Sequence, residues 1–118
     1  MTPEEMKKRT RAFALRVIKL VESLPPTPTV KVLGGQSLRC GTSVGANSRA
    51  ACRAKSTADF IAKLGIVEEE ADESIYWIEL LVEAGLLKQG RVADLLDEAN
   101  QILSIVVSSI NTARGGKR

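Results

Sequence analysis

The residues best able to do chemistry are few, and each fails on its surroundings. Glu68, Glu69, Glu70, Asp72 and Glu73 form an acid cluster that would suit paired carboxylates or a metal ion. Bundles that hold metals, however, direct carboxylates inward from several helices, whereas these fall on one predicted helix. They therefore read as a solvated or ion-paired face. Cys40 and Cys52 are candidate nucleophiles, but a thiol needs an adjacent base, and the chain has no histidine. The same absence removes the commonest zinc ligand and every site built on Glu-x-x-His. The stretch from Gly41 to Gly45 lacks a Gly-Lys-Ser/Thr sequence and a preceding strand, so it is not a phosphate-cradling loop. The sequence thus predicts no catalytic residue, no metal site and no cofactor.

The bases survive this scrutiny better. Before Asp59 there are eleven lysines and arginines against only Glu4, Glu5 and Glu22. From Asp59 to Glu83 there are eight acids against Lys63 alone. The net charge of +3 conceals this segregation. At about 100° per residue, Lys31, Arg39, Arg49 and Arg53 share the polar side of one predicted helix. Lys8, Arg9, Arg16 and Lys19 cluster on another. Such stripes are the electrostatic footprint of phosphate binding. They equally suit pairing with the acids of the following segment, or charge complementarity between subunits.

Four segments must position these residues. Thr2-Pro3-Glu4-Glu5 opens the first, with a cap, a proline suited to the first turn and acids at the positive end of the helix dipole. Met6, Phe13, Val17, Leu20 and Leu24 recur at helical spacing until Pro25-Pro26 ends the segment. The second runs from about Thr29 to Lys55, with Val30, Leu33, Ser37, Gly41, Val44, Ser48 and Ala51 on one face. Its glycines weaken a helix. The periodicity passes through them, which predicts one long helix whose small face admits a close neighbour. Ser56-Thr57 caps the third, whose stripe runs from Phe60 to Val82 before Gly85 ends it. The fourth, from about Gln89 to Ala113, has the cleanest amphipathic pattern, and Gly115-Gly116-Lys117-Arg118 follows as a basic tail. Four helical segments with short connections predict an all-α, antiparallel up-and-down four-helix bundle, with residues 1–118 as a single domain.

Composition agrees. Aromatic residues make up 3% of the 118 residues, so the core must be aliphatic. Two cysteines on one helix at positions 40 and 52 would stand roughly 18 Å apart, beyond the separation of about 7 Å that a disulfide spans. Both are expected as buried free thiols. No apolar run is long enough to cross a bilayer and no signal peptide is evident, so the expected setting is cytoplasmic, without a membrane partner.

From Leu38 to Leu81 the sequence resembles a known family. Leu38-Arg-Cys-Gly-Thr-Ser-Val-Gly-Ala-Asn47, Arg49-Ala-Ala, Asp59-Phe-Ile-Ala-Lys-Leu and Glu69-Glu-Ala-Asp-Glu-Ser-Ile-Tyr-Trp-Ile-Glu-Leu-Leu81 together resemble the bacterial four-helix-bundle proteins called 23S rRNA intervening-sequence proteins. These are related to accessory proteins of diversity-generating retroelements. The match is close over the middle two helices. Asn47-Ser48-Arg49-Ala50-Ala51 departs from the Asn-x-x-Glu-Gly continuation of many relatives. The resemblance implies a homopentamer, no enzymatic activity, a nucleic-acid role and a nucleic-acid enzyme such as a reverse transcriptase as partner. It also implies that Arg39, Ser43, Asn47, Glu70, Glu73, Trp77 and Glu79 occupy characteristic positions, most of them serving packing and subunit contacts.

Two functions remain open on this reading. One is an RNA- or DNA-associated accessory protein using Lys8, Arg9, Arg16, Lys19, Lys31, Arg39, Arg49 and Arg53. The other is a structural scaffold in which charge segregation holds subunits together. Leu15 and Ile18, off the main apolar face of the first segment, and Trp77, beside that of the third, are expected at a subunit interface. Asn47 borders the apolar face of the second segment, where a buried amide would need partners.

Overall fold

The first three helices start where a side chain can satisfy their free amides; the fourth, after Lys88, has no side-chain cap. In the computed structural model, which describes residues 1–115, α1 spans Pro3–Glu22, α2 Pro28–Ala51, α3 Thr57–Glu83 and α4 Gln89–Ala113. The expected basic tail lies, from Gly116 onward, outside the described residues. Thr2 and Glu5 form a reciprocal capping box: the Glu5 amide donates to Thr2 Oγ1 at 3.1 Å, and the Thr2 amide to Glu5 Oε1 at 2.7 Å. Thr27 and Ser56 cap α2 and α3 in the same sense, accepting from Val30 and Asp59. After α3, Gly85 takes φ +80°. Its amide bonds to Val82 and that of Leu86 to Leu81, the paired closure that needs a left-handed residue.

α2 is continuous through its glycines, as its periodicity implied. It ends at Ala51 rather than near Lys55. The amides of Arg53 and Ala54 bond back to Ala50 and Ala51 in tight turns, and Ser56 must be extended to cap α3. Helical continuation there is incompatible with starting the next helix.

The helices form an all-α, antiparallel up-and-down bundle in which α1 packs on α2, α2 on α3 and α3 on α4. α4 returns to α1 along the sparsest of these seams. Phe13, Val17, Val44, Val67, Ile78, Leu81, Val92, Ile102 and Val106 are fully buried between them, each contributing about 1.5–3 kcal/mol by leaving water. The small face of α2 lets α1 come close. A methyl at Gly41 would lie 2.9 Å from both Val17 γ carbons, and one at Gly45 would lie 3.3 Å from the Thr10 carbonyl. Buried Thr10, Ser37 and Ser74 bond back to carbonyls of their own helices. Ser48 is buried without such a bond. No helix among the described residues is long and apolar enough to cross a membrane.

Candidate nucleic-acid interface

The close approach of α1 and α2 at Gly45 creates a groove of about 400 Å³ beside it. Lys7, Lys8 and Arg11 enter from α1 and Arg49 from the last turn of α2. Residues 7, 8 and 11 share a helical face by their spacing of three and four. Antiparallel packing then brings the C-terminal part of α2 alongside them. Among the described residues Glu4 is the one acid lining the groove, and it pairs with Lys7 at 2.9 Å. Lys8, Arg11 and Arg49 have no ion-pair partner among the described residues. The groove therefore concentrates positive charge against a backbone floor of small residues.

The bases singled out by sequence divide among several places. Lys8 and Arg49 meet in this groove. Arg9, one residue from Lys8, turns to α4 and binds Glu98 at 2.6 and 2.8 Å and Gln101 at 2.6 Å. Arg39 reaches α3, 3.4 Å from Glu70 and 3.0 Å from Glu73. Arg16, Lys19 and Lys31 are exposed along the helices outside the groove lining. Arg53 is exposed beyond the end of α2, so it does not extend a helical stripe. Lys7 and Arg11 were missed by the sequence grouping. Their spacing to Lys8 was the available signal, but only the position of α2 makes them partners of Arg49.

A second cluster joins α2 to α3. Cys40 Sγ and carboxylate oxygens of Glu70 and Glu73 all lie within 4.8 Å of one another. By element type this could hold a metal, but a thiol must lose its proton to coordinate one. Burial, reinforced by the Glu73 carboxylate, pushes the Cys40 thiol up to about 12. The Arg39 guanidinium already supplies the neutralising cation, 3.2 Å from Cys40 Sγ. Hydrogen bonds from the Trp77 indole and the Cys40 thiol, with Arg39 beside them, hold Glu73's carboxyl below its usual range. This arrangement is an ion-paired tie between helices.

The remaining expected positions are simpler. Cys40 is buried as anticipated, but Cys52 is exposed, because α2 ends beside it. Both are free thiols. Asn47 is half-buried and donates to the Ser43 carbonyl of its own helix at 2.9 Å, with no hydrogen bond to another element among the described residues. Leu15 and Glu79 are exposed, and Ile18 and Trp77 half-buried. Exposed Tyr76 meets Trp77 edge-on, with ring centroids 5.0 Å apart.

The fold defines a four-helix-bundle protein in which Lys7, Lys8, Arg11 and Arg49 line the groove between α1 and α2. The profile of the 23S rRNA-intervening sequence proteins matches residues 4–108, and the chain belongs to that family. It is also similar to a crystal structure from Bacteroides thetaiotaomicron, described as a protein of unknown function from the S23 ribosomal protein family. The two are 35% identical, with a TM-score of 0.87 over 94% of this chain and 99% of the other. No curated protein matches the chain.

Proposed function

We propose that this chain is a non-enzymatic, homo-oligomeric accessory protein of the cytoplasm that binds nucleic acid through the groove between α1 and α2. The observation that carries the reading is the convergence of Lys7, Lys8, Arg11 and Arg49 on a surface with one carboxylate, that of Glu4. Such a surface suits phosphates spaced along a backbone. The described residues of the groove include no aromatic on which a base could stack, so binding depends little on sequence. The names of the family and of its structural relative, which refer to 23S rRNA and to the S23 ribosomal protein family, favour RNA.

Self-association is supported by Leu15, Val32, Ile66 and Tyr76, which expose large apolar side chains. The family resemblance favours a pentamer, in which five copies of the groove would add avidity to modest individual contacts. A nucleic-acid enzyme such as a reverse transcriptase is the protein partner compatible with this role. The alternative reading, a scaffold without nucleic acid, draws support from Arg9 and Arg39, whose charges are taken by acids within the chain. The deciding experiment titrates RNA and DNA at several salt concentrations and measures the assembly mass by light scattering. Salt-sensitive binding supports the first reading. A stable oligomer that binds neither nucleic acid at low ionic strength leaves the scaffold.

A further inference from the structure

We propose a second binding site, for a small aliphatic carboxylate, in the cavity at the end of the bundle where α1 and α3 begin and α2 and α4 finish. The cavity measures about 620 Å³, within the range of about 300–1,000 Å³ typical of small-molecule sites. Met6, Phe60, Leu64 and Val106 give it apolar walls, and no side-chain carboxylate among the described residues lines it. This is a site for an apolar body carrying few polar atoms.

Two of the polar lining residues, Ser48 and Lys55, point to what that body carries. Ser48 lines the cavity at 2% exposure, yet its hydroxyl has no hydrogen-bond partner among the described residues. Thr10, Ser37 and Ser74, equally buried, each bond back one turn. A buried hydroxyl left unpaired in this way calls for a partner from outside the protein. Lys55 also lines the cavity and makes no ion pair among the described residues. The acid nearest to it in sequence, Asp59, accepts instead from the Lys55 amide at 3.1 Å and the Lys63 ammonium at 2.7 Å. Two helix N-termini and two C-termini meet here, so their dipoles largely cancel, and Lys55 is the one charged side chain among the described lining residues. A hydrocarbon with one terminal carboxylate meets all three requirements: an apolar wall, a hydrogen-bond acceptor for Ser48 and an anion for Lys55.

Cys52 provides the readout, because its exposed thiol lines the same cavity while Cys40 is buried. The full-length protein is treated with N-ethylmaleimide in the presence of decanoate below its micelle concentration, and Cys52 modification is followed by intact mass alongside the thermal midpoint. Decanoate is expected to slow the modification and raise the midpoint, decanol to do so less, and decyltrimethylammonium to do neither. Ser48→Ala should fold with an unliganded midpoint equal to or above the parent's, because it deletes an unpaired group, while weakening decanoate protection roughly fivefold to tenfold. Lys55→Gln should weaken decanoate and leave decanol unchanged. The proposal is overturned if decanoate alters neither readout, if the cationic amphiphile acts equally well, or if Ser48→Ala binds decanoate like the parent. This cavity shares no lining residue with the basic groove, so either site can fail without the other.

Discussion

Arg9 on α1 holds Glu98 on α4 through two parallel hydrogen bonds, Nε to Oε2 at 2.6 Å and Nη2 to Oε1 at 2.8 Å. The pair spans the sparsest seam of the bundle. Both side chains keep some exposure, 24% and 19%, so Arg9→Gln should cost about 1 kcal/mol, between the values for exposed ion pairs and for buried bonds to charged groups. Equilibrium urea unfolding near neutral pH measures it.

The same pair has a pH signature. Hydrogen bonds from Arg9 hold Glu98's carboxyl below its usual range. A lowered folded-state value means the stabilisation is fully present above the unfolded carboxylate's range and is lost as pH falls through the folded value. Stability of the parent should therefore decline on acidification from the ordinary glutamate value, about 4.3, downward. In Arg9→Gln that decline should be shallower. Equal slopes in the two proteins, from unfolding curves across this interval, would remove the pair from the account of acid sensitivity.

Two glycines of α2 should respond oppositely to alanine. At Gly41 the new methyl would meet the Val17 side chain at 2.9 Å, so either Val17 or the spacing of α1 and α2 must shift. Gly41→Ala should destabilise the fold by about 1–3 kcal/mol. At Gly35 nothing lies within 4 Å of the added carbon. Gly35→Ala should stabilise by about 0.5–1 kcal/mol through helix propensity. Thermal midpoints of the two variants should move to opposite sides of the parent's.

These elements show what was legible. Thr2, Ser56 and Gly85 mark helix ends by chemistry that acts within a few residues, so their positions could be read directly. The step of three and four through Gly34, Gly41 and Gly45 likewise revealed a continuous α2. Its end was not legible, because no glycine or proline stands there. It is set by Ser56 adopting an extended backbone to start α3. The candidate site was less legible still. A helical wheel places Arg9 and Arg39 on polar faces but is silent about the acid on the neighbouring helix. Glu98 is 89 residues from Arg9, and Glu73 is 34 from Arg39.

The two thiols should behave differently toward alkylation. Cys40 is buried and its thiol is pushed up to about 12, so it carries almost no thiolate at mildly alkaline pH. Cys52 is exposed. The native protein should take up a single maleimide per chain, at Cys52, and a second only after unfolding. Peptide mapping that finds Cys40 modified at a comparable rate in the native state would contradict its burial against Glu73.

The last prediction separates bases that look alike in sequence. If phosphates bind between α1 and α2, Arg11 and Arg49 matter because no carboxylate among the described residues pairs with them. Arg39 matters little, since Glu70 and Glu73 already take its charge. Arg11→Gln and Arg49→Gln should each weaken RNA binding and reduce the slope of log affinity against log salt by about 0.7–1. Arg39→Gln should leave the slope unchanged while lowering stability by at most about 1 kcal/mol, because its side chain is half exposed. Lys8→Gln should follow Arg11, whereas Arg9→Gln should act on stability alone, although the two residues are adjacent. Titrations at three or more salt concentrations, paired with unfolding curves, distinguish these outcomes. Binding that falls equally for Arg9, Arg11 and Arg39 would mean that total charge, and not the groove, attracts the nucleic acid.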